Sequence, residues 1–204
     1  MSGLRAVFFD FGGVLLRTED RAGRRKWEAR LSLPERGLED AVFNGEAARR
    51  ASLGELPESA VWQSLAQRFG LDDSQLEELQ HDFWAGDKLD DQLVHFLRGL
   101  RPRYKTGVLS NAWTDARTAF TEKYGLSSAV DALIISAEVG VVKPDARIYR
   151  LAAEALGVLP EEAVFVDDSA QNVQGARAAG MKAVQFVSTA QTVKEVRQLL
   201  DDGR

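Results

Sequence analysis

The sequence predicts an α/β protein: a parallel sheet wound with helices and interrupted by a helical insertion. Three observations carry this expectation. Short runs that are apolar on both faces recur along the chain, as strands buried between two layers do. Helical patterns separate these runs from the second one onward, the alternation that gives right-handed parallel crossovers. Between the first and second runs stands a long charged stretch with helical spacing and no convincing strand.

The strand candidates are residues 4–10, 106–110, 132–136, 163–167 and 183–187. Helical patterns fall at 115–124, 146–156, 170–179 and 192–200, with another near 90–100. Residues 17–86 are far too many for a βα connection, which takes about 2–6. Within them Trp27 and Leu31, then Val61, Trp62, Leu65 and Phe69, fall at spacings that make one apolar stripe. Pro34, Gly54, Pro57 and Gly70 mark helix boundaries. The expected organisation is therefore a core of residues 1–15 and 87–204, with residues 16–86 inserted as a helical subdomain.

Composition narrows the functional classes. The 204 residues carry a net charge of −5, and their 26 Lys and Arg form no basic run, so a nucleic-acid partner is not expected. There is no cysteine, which excludes disulfides, thiolate zinc and thiol catalysis. His81 and His95 sit on helical patterns and offer no zinc site. No signal-peptide pattern or spanning stretch is read, because Asp10 interrupts the first apolar run, and a cytoplasmic address without a membrane partner is expected.

Polar residues gather where the strands end. The first run closes on Asp10-Phe11-Gly12-Gly13 and the second on Ser110-Asn111; the third leads to Lys143-Pro144, and the fourth closes on Asp167-Asp168, with Asn172 beyond. In an open parallel sheet these ends share one edge, the edge that binds ligands. Singly, each string reads as a turn or a helix cap. Together they bring three carboxylates, a hydroxyl, two amides and a lysine to one place. Hard oxygen donors suit Mg²⁺, and a cation relieves the repulsion of Asp10, Asp167 and Asp168. Ser110 and Lys143 can bind and neutralise a phosphoryl group, which is what phosphoryl transfer requires.

These strings resemble, in order, the four motifs of the haloacid dehalogenase superfamily, and the insertion lies where members with a helical cap carry theirs. The nearest resemblance is to epoxide-hydrolase-associated phosphatase domains and bacterial sugar-phosphate phosphatases. It implies a Rossmann-like hydrolase core and a cap that selects a small phosphorylated metabolite. It further implies that Asp10 is the nucleophile, forming an aspartyl phosphate. Mg²⁺ would be held by Asp10, the Gly12 backbone carbonyl, Asp168 and, directly or through water, Asp167. Ser110, the Asn111 amide and Lys143 would hold the phosphoryl oxygens beside the Gly12–Gly13 turn, with Asn172 orienting the acidic pair. Trp113 either lines the pocket or packs under the cap.

One position departs from the pattern. Phosphatases of this family usually carry an Asp two residues after the nucleophile as general acid and base, and here that residue is Gly12. General acid–base help is worth about 10²–10⁴ in rate. Glu19 and Asp20 are the nearest carboxylates that could replace it. Two other readings follow from the gap: a metal-free 2-haloacid dehalogenase acting through Asp10, and a phosphometabolite-binding protein without turnover. The retained Asp167–Asp168 pair argues against the first.

Overall fold

The computed structural model describes residues 3–202. Five parallel strands form the central sheet: β1 (Ala6–Phe9), β4 (Lys105–Ser110), β5 (Ala132–Ile135), β6 (Ala163–Asp167) and β7 (Lys182–Gln185), in the order β5-β4-β1-β6-β7. Strand β1 is central, and all four of its residues are fully buried. Its side chains divide by the two-residue period of a strand. Val7 and Phe9 enter one apolar cluster, while Ala6 and Phe8 enter the other.

Each cluster is closed by helices. Leu93, Val94, Phe96 and Leu97 of α6 (Asp91–Leu100) and Val196 and Leu200 of α11 (Thr189–Asp202) cover the Phe9 face. Ile148, Tyr149, Ala152 and Ala153 of α9 (Ala146–Ala155) and Val173 and Ala176 of α10 (Ala170–Ala178) cover the Phe8 face. The helical pattern at 115–124 becomes the short α7 (Ala116–Thr118), which continues as a π-helical turn, Ala119–Lys123. A further short helix, α8 (Ser136–Val139), follows β5.

The insertion folds as five helices: α1 (Ala22–Arg30), α2 (Gly37–Phe43), α3 (Glu46–Ser52), α4 (Glu58–Phe69) and α5 (Asp73–Trp84). Pro57 precedes α4, and Gly70 ends it with a left-handed φ of 64°, the C-terminal role for which glycine is suited. Trp27, Val61, Trp62 and Leu65 of the expected stripe are buried in one cluster with Leu38, Leu79 and Phe83, while Leu31 and Phe69 are only partly covered.

The expectation of no strand in this stretch is corrected. Leu16–Thr18 (β2) pairs antiparallel with Asp87–Leu89 (β3), so the chain enters and leaves the helical layer through a two-stranded ribbon. Three residues of mixed polarity on each side carry no periodic signal. Their order comes from a partner far away in sequence, with Thr18 Oγ1 donating to Asp87 Oδ1 at 2.6 Å.

Just past the ribbon, Asp90 ties three elements together. Its Oδ1 accepts from the Leu93 N–H at 2.9 Å, capping α6. Its Oδ2 pairs with Arg17 of β2 at 2.7 Å and accepts from the Thr189 hydroxyl at the start of α11. Burial alone would raise this carboxyl, but these partners outweigh it and hold the pKa below the ordinary value. A carboxyl lowered in the fold stabilises fully above its unfolded pKa, near 3.9, and loses that contribution as pH falls through its folded value. We expect Asp90→Ala to cost about 2–3 kcal/mol at pH 7, from a lost cap and a lost charged hydrogen bond. In urea melts, the gap to wild type should shrink as pH is taken below about 4. A gap that stays constant down to the acid limit of the fold would refute this account.

Candidate active site

The sheet edge assembles as the strand ends require. Asp10 follows β1, and its N–H donates to the Val166 carbonyl of β6 at 2.8 Å. The Phe11 N–H donates to Asp10 Oδ1 at 2.7 Å, so the backbone itself fixes the carboxylate. The chain then turns through Gly12 and Gly13. Gly13 has a φ of 80°, and a Cβ there would lie 2.4 Å from Asp168 Oδ2. Glycine is needed at that position for backbone conformation and for the approach of Asp168.

Lys143 is the centre of the site. Its side chain is 1% exposed, and Nζ lies 2.8 Å from Asp10 Oδ1 and 2.7 Å from Asp167 Oδ2. The side chain of Asn111 grips the Lys143 backbone from both sides. Asn111 Oδ1 accepts from the Lys143 N–H at 2.8 Å, and Asn111 Nδ2 donates to its carbonyl at 3.0 Å. The side-chain amide of Asn111, expected on the substrate side, is therefore engaged in holding the lysine.

Asp167 is fully buried and heavily bonded. Besides Lys143, it accepts from the Ser169 N–H at 2.8 Å and from Asn172 Nδ2 at 3.0 Å and 3.1 Å, one bond to each oxygen. Ser110 ends β4 nearly buried, and among the described residues no side-chain partner holds its hydroxyl. Asp168 is the carboxylate most open to solvent.

One oxygen from each of Asp10, Asp167 and Asp168 lies within 4.8 Å of the others. Burial pushes the Asp10 carboxyl up to about 7; the Lys143 ammonium opposes this, and the charge of Asp167 adds to it. Asp168 is raised as well, by desolvation first and then by Asp167. One ammonium is thus set against three carboxylates, in a donor set of hard oxygens without imidazole or thiolate. That set fits a divalent cation of the Mg²⁺ type.

Trp113 is buried in the apolar cluster of the helical layer, edge-to-face with Trp62 at 6.2 Å and tilted against Phe43 at 5.9 Å. Of the two places the sequence left open for it, packing under the cap is the one its contacts support. Glu19 pairs with Lys88 at 3.0 Å, and Asp20 accepts from the Ala22 N–H at the start of α1. His81 is solvent-exposed and lies beside Asp82. Tyr149, unremarked in the sequence, is fully buried with its hydroxyl on the Asn172 carbonyl at 2.8 Å. Its place on the covered face of a helix that starts just after Lys143 was the available signal.

The geometry can be set beside known proteins. Residues 4–180 match the model of the haloacid dehalogenase-like hydrolases. The chain is 31% identical over 195 residues to Phosphatase MT3486 of Mycobacterium tuberculosis, covering 93% of this chain and 90% of that protein. It is 24% identical over 212 residues to the D-ribitol-5-phosphate phosphatase of Bacteroides thetaiotaomicron, covering 97% and 99%. Among solved structures, it superposes with a TM-score of 0.75 on a HAD family enzyme of Bacteroides thetaiotaomicron in complex with magnesium and inorganic phosphate. The sequence identity to that enzyme is 18%, with 92% of this chain and 96% of the other covered. A match spanning most of the chain, on a fold that brings these strand ends together, places the protein in the haloacid dehalogenase-like hydrolase family.

Proposed function

We propose that the protein is a Mg²⁺-dependent phosphohydrolase for a small phosphorylated metabolite, with a sugar or polyol phosphate as the first class to test. The observation that carries this reading is the Asp10–Lys143–Asp167 contact, with Asp168 at its open side. The ribitol-phosphate activity in the name of one relative supports the substrate class.

In this reading Asp10, the Gly12 carbonyl and Asp168 would hold the metal, with Asp167, whose oxygens already accept four hydrogen bonds, joining directly or through water. Bound there, Mg²⁺ supplies charge neutralisation at the phosphoryl oxygens. Asp10 Oδ1 is held by Phe11 and Lys143; among the described residues Oδ2 has no such donor. Asp10 attacks phosphorus, the ester oxygen leaves, and water then cleaves the aspartyl phosphate, returning the carboxylate and releasing phosphate. Lys143 and the Ser110 hydroxyl hold the charge that builds on the phosphoryl oxygens. Residues 16–86 serve as the cap over residues 1–15 and 87–204, with the β2–β3 ribbon as its stem.

The leaving oxygen needs a proton, and Gly12 cannot provide one. This site should therefore favour leaving groups that depart as stable anions.

Phosphate release from p-nitrophenyl phosphate, ribitol 5-phosphate and a panel of sugar phosphates tests the reading. We expect release only with Mg²⁺, and a loss of at least about 10³-fold in Asp10→Asn. Tight Mg²⁺-dependent binding of a phosphorylated metabolite without release would instead identify a binding protein. Halide release from 2-chloropropionate in chelator would identify a dehalogenase.

A Cβ at Gly12 would meet no atom within 4 Å, so a side chain fits there. We expect Gly12→Asp to raise kcat on alkyl phosphates by at least about tenfold, with a smaller gain on p-nitrophenyl phosphate. Equal or reduced rates on both esters would show that a missing acid does not limit this site.

A further inference from the structure

Tyr149 is buried directly beneath the catalytic edge, and the reaction as described leaves it unused. It lies on α9, which begins just after Lys143-Pro144, and its hydroxyl donates to the Asn172 carbonyl of α10 at 2.8 Å. Asn172 is the residue whose Nδ2 spans both oxygens of Asp167. The tyrosine ring stands edge-to-face on Phe165 at 5.6 Å, and the same Phe165 ring lies 5.3 Å from Lys143 Nζ.

The two helices meet closely here because residue 175 of α10 is glycine. A Cβ at Gly175 would lie 2.7 Å from the Pro144 carbonyl oxygen and 3.1 Å from the Tyr149 hydroxyl. Burial first, and then the charges of Asp167 and Asp10, hold the phenol above its ordinary pKa, so it is a permanent donor.

We propose that Tyr149 is a positioning residue: its hydroxyl braces the helix after Lys143 against the helix bearing Asn172, and so fixes Asp167 between them. The catalytic part of this proposal rests on the phosphohydrolase reading, whereas the metal-binding part does not. Partners one layer behind metal-site carboxylates commonly affect affinity or activity by about 10–100-fold. Tyr149 acts at the next remove, through Asn172.

Tyr149→Phe keeps the ring and its packing and removes only the donor. By calorimetric titration with Mg²⁺ alone, we expect its dissociation constant to rise about tenfold. With p-nitrophenyl phosphate, kcat should fall about tenfold while KM stays within about twofold. Because the effect passes through Asn172, Tyr149→Phe should cost less than about twofold in an Asn172→Ala background. A merely structural tyrosine would instead lower the melting temperature and leave Mg²⁺ affinity unchanged at 25 °C. Metal affinity and kcat within about twofold of wild type, or equal losses in both backgrounds, would overturn the proposal. Wild type that binds Mg²⁺ but releases no phosphate would refute the phosphohydrolase reading and leave the titrations to decide the role of Tyr149.

Discussion

The catalytic edge depends on one buried ammonium. Lys143 is sealed from solvent between Asp10 and Asp167, and in such surroundings removing one partner of an ion pair leaves an uncompensated charge worth about 3–5 kcal/mol. The arrangement persists only if all three side chains are held from behind, and each is: Asp10 by the Phe11 amide, Lys143 by the paired hydrogen bonds of Asn111, and Asp167 by Ser169 and Asn172. None of these supports reaches across open solvent. The sheet brings the strand ends together, and residues just beyond them hold the three charges in place.

The same edge is left short of positive charge. A single lysine cannot balance three carboxylates, so Asp10 in the bare protein carries a pKa near neutrality, with burial as the main cause. A divalent cation held beside it would favour the ionised carboxylate. Gly13 serves this by omission, since any larger residue would occupy the space of the Asp168 carboxylate.

The sheet and most of the site were legible because their signals are local. A run such as Ala163–Asp167 is apolar throughout and then abruptly acidic, and five such runs separated by helical periods leave little freedom of topology. What escaped was what depends on distant partners. The β2–β3 ribbon pairs Leu16–Thr18 with Asp87–Leu89, and neither triplet looks like a strand alone. The Asn111 side chain reads as a ligand group until the Lys143 backbone is found in its grip. Tyr149 reads as one more residue of an apolar helix face until its hydroxyl is traced to Asn172.

Trp113 has a consequence of a different kind. It lies three residues past Ser110, in the chain of the core, yet its ring is packed in the apolar cluster of the inserted helices, against Phe43 and Trp62. The inserted helices and the loop after Ser110 therefore share one piece of interior. A substitution that repacks the insertion around Trp113 also loosens the anchor of the loop next to Ser110. Sequence drift in the inserted helices is therefore felt at the end of β4, where Ser110 stands.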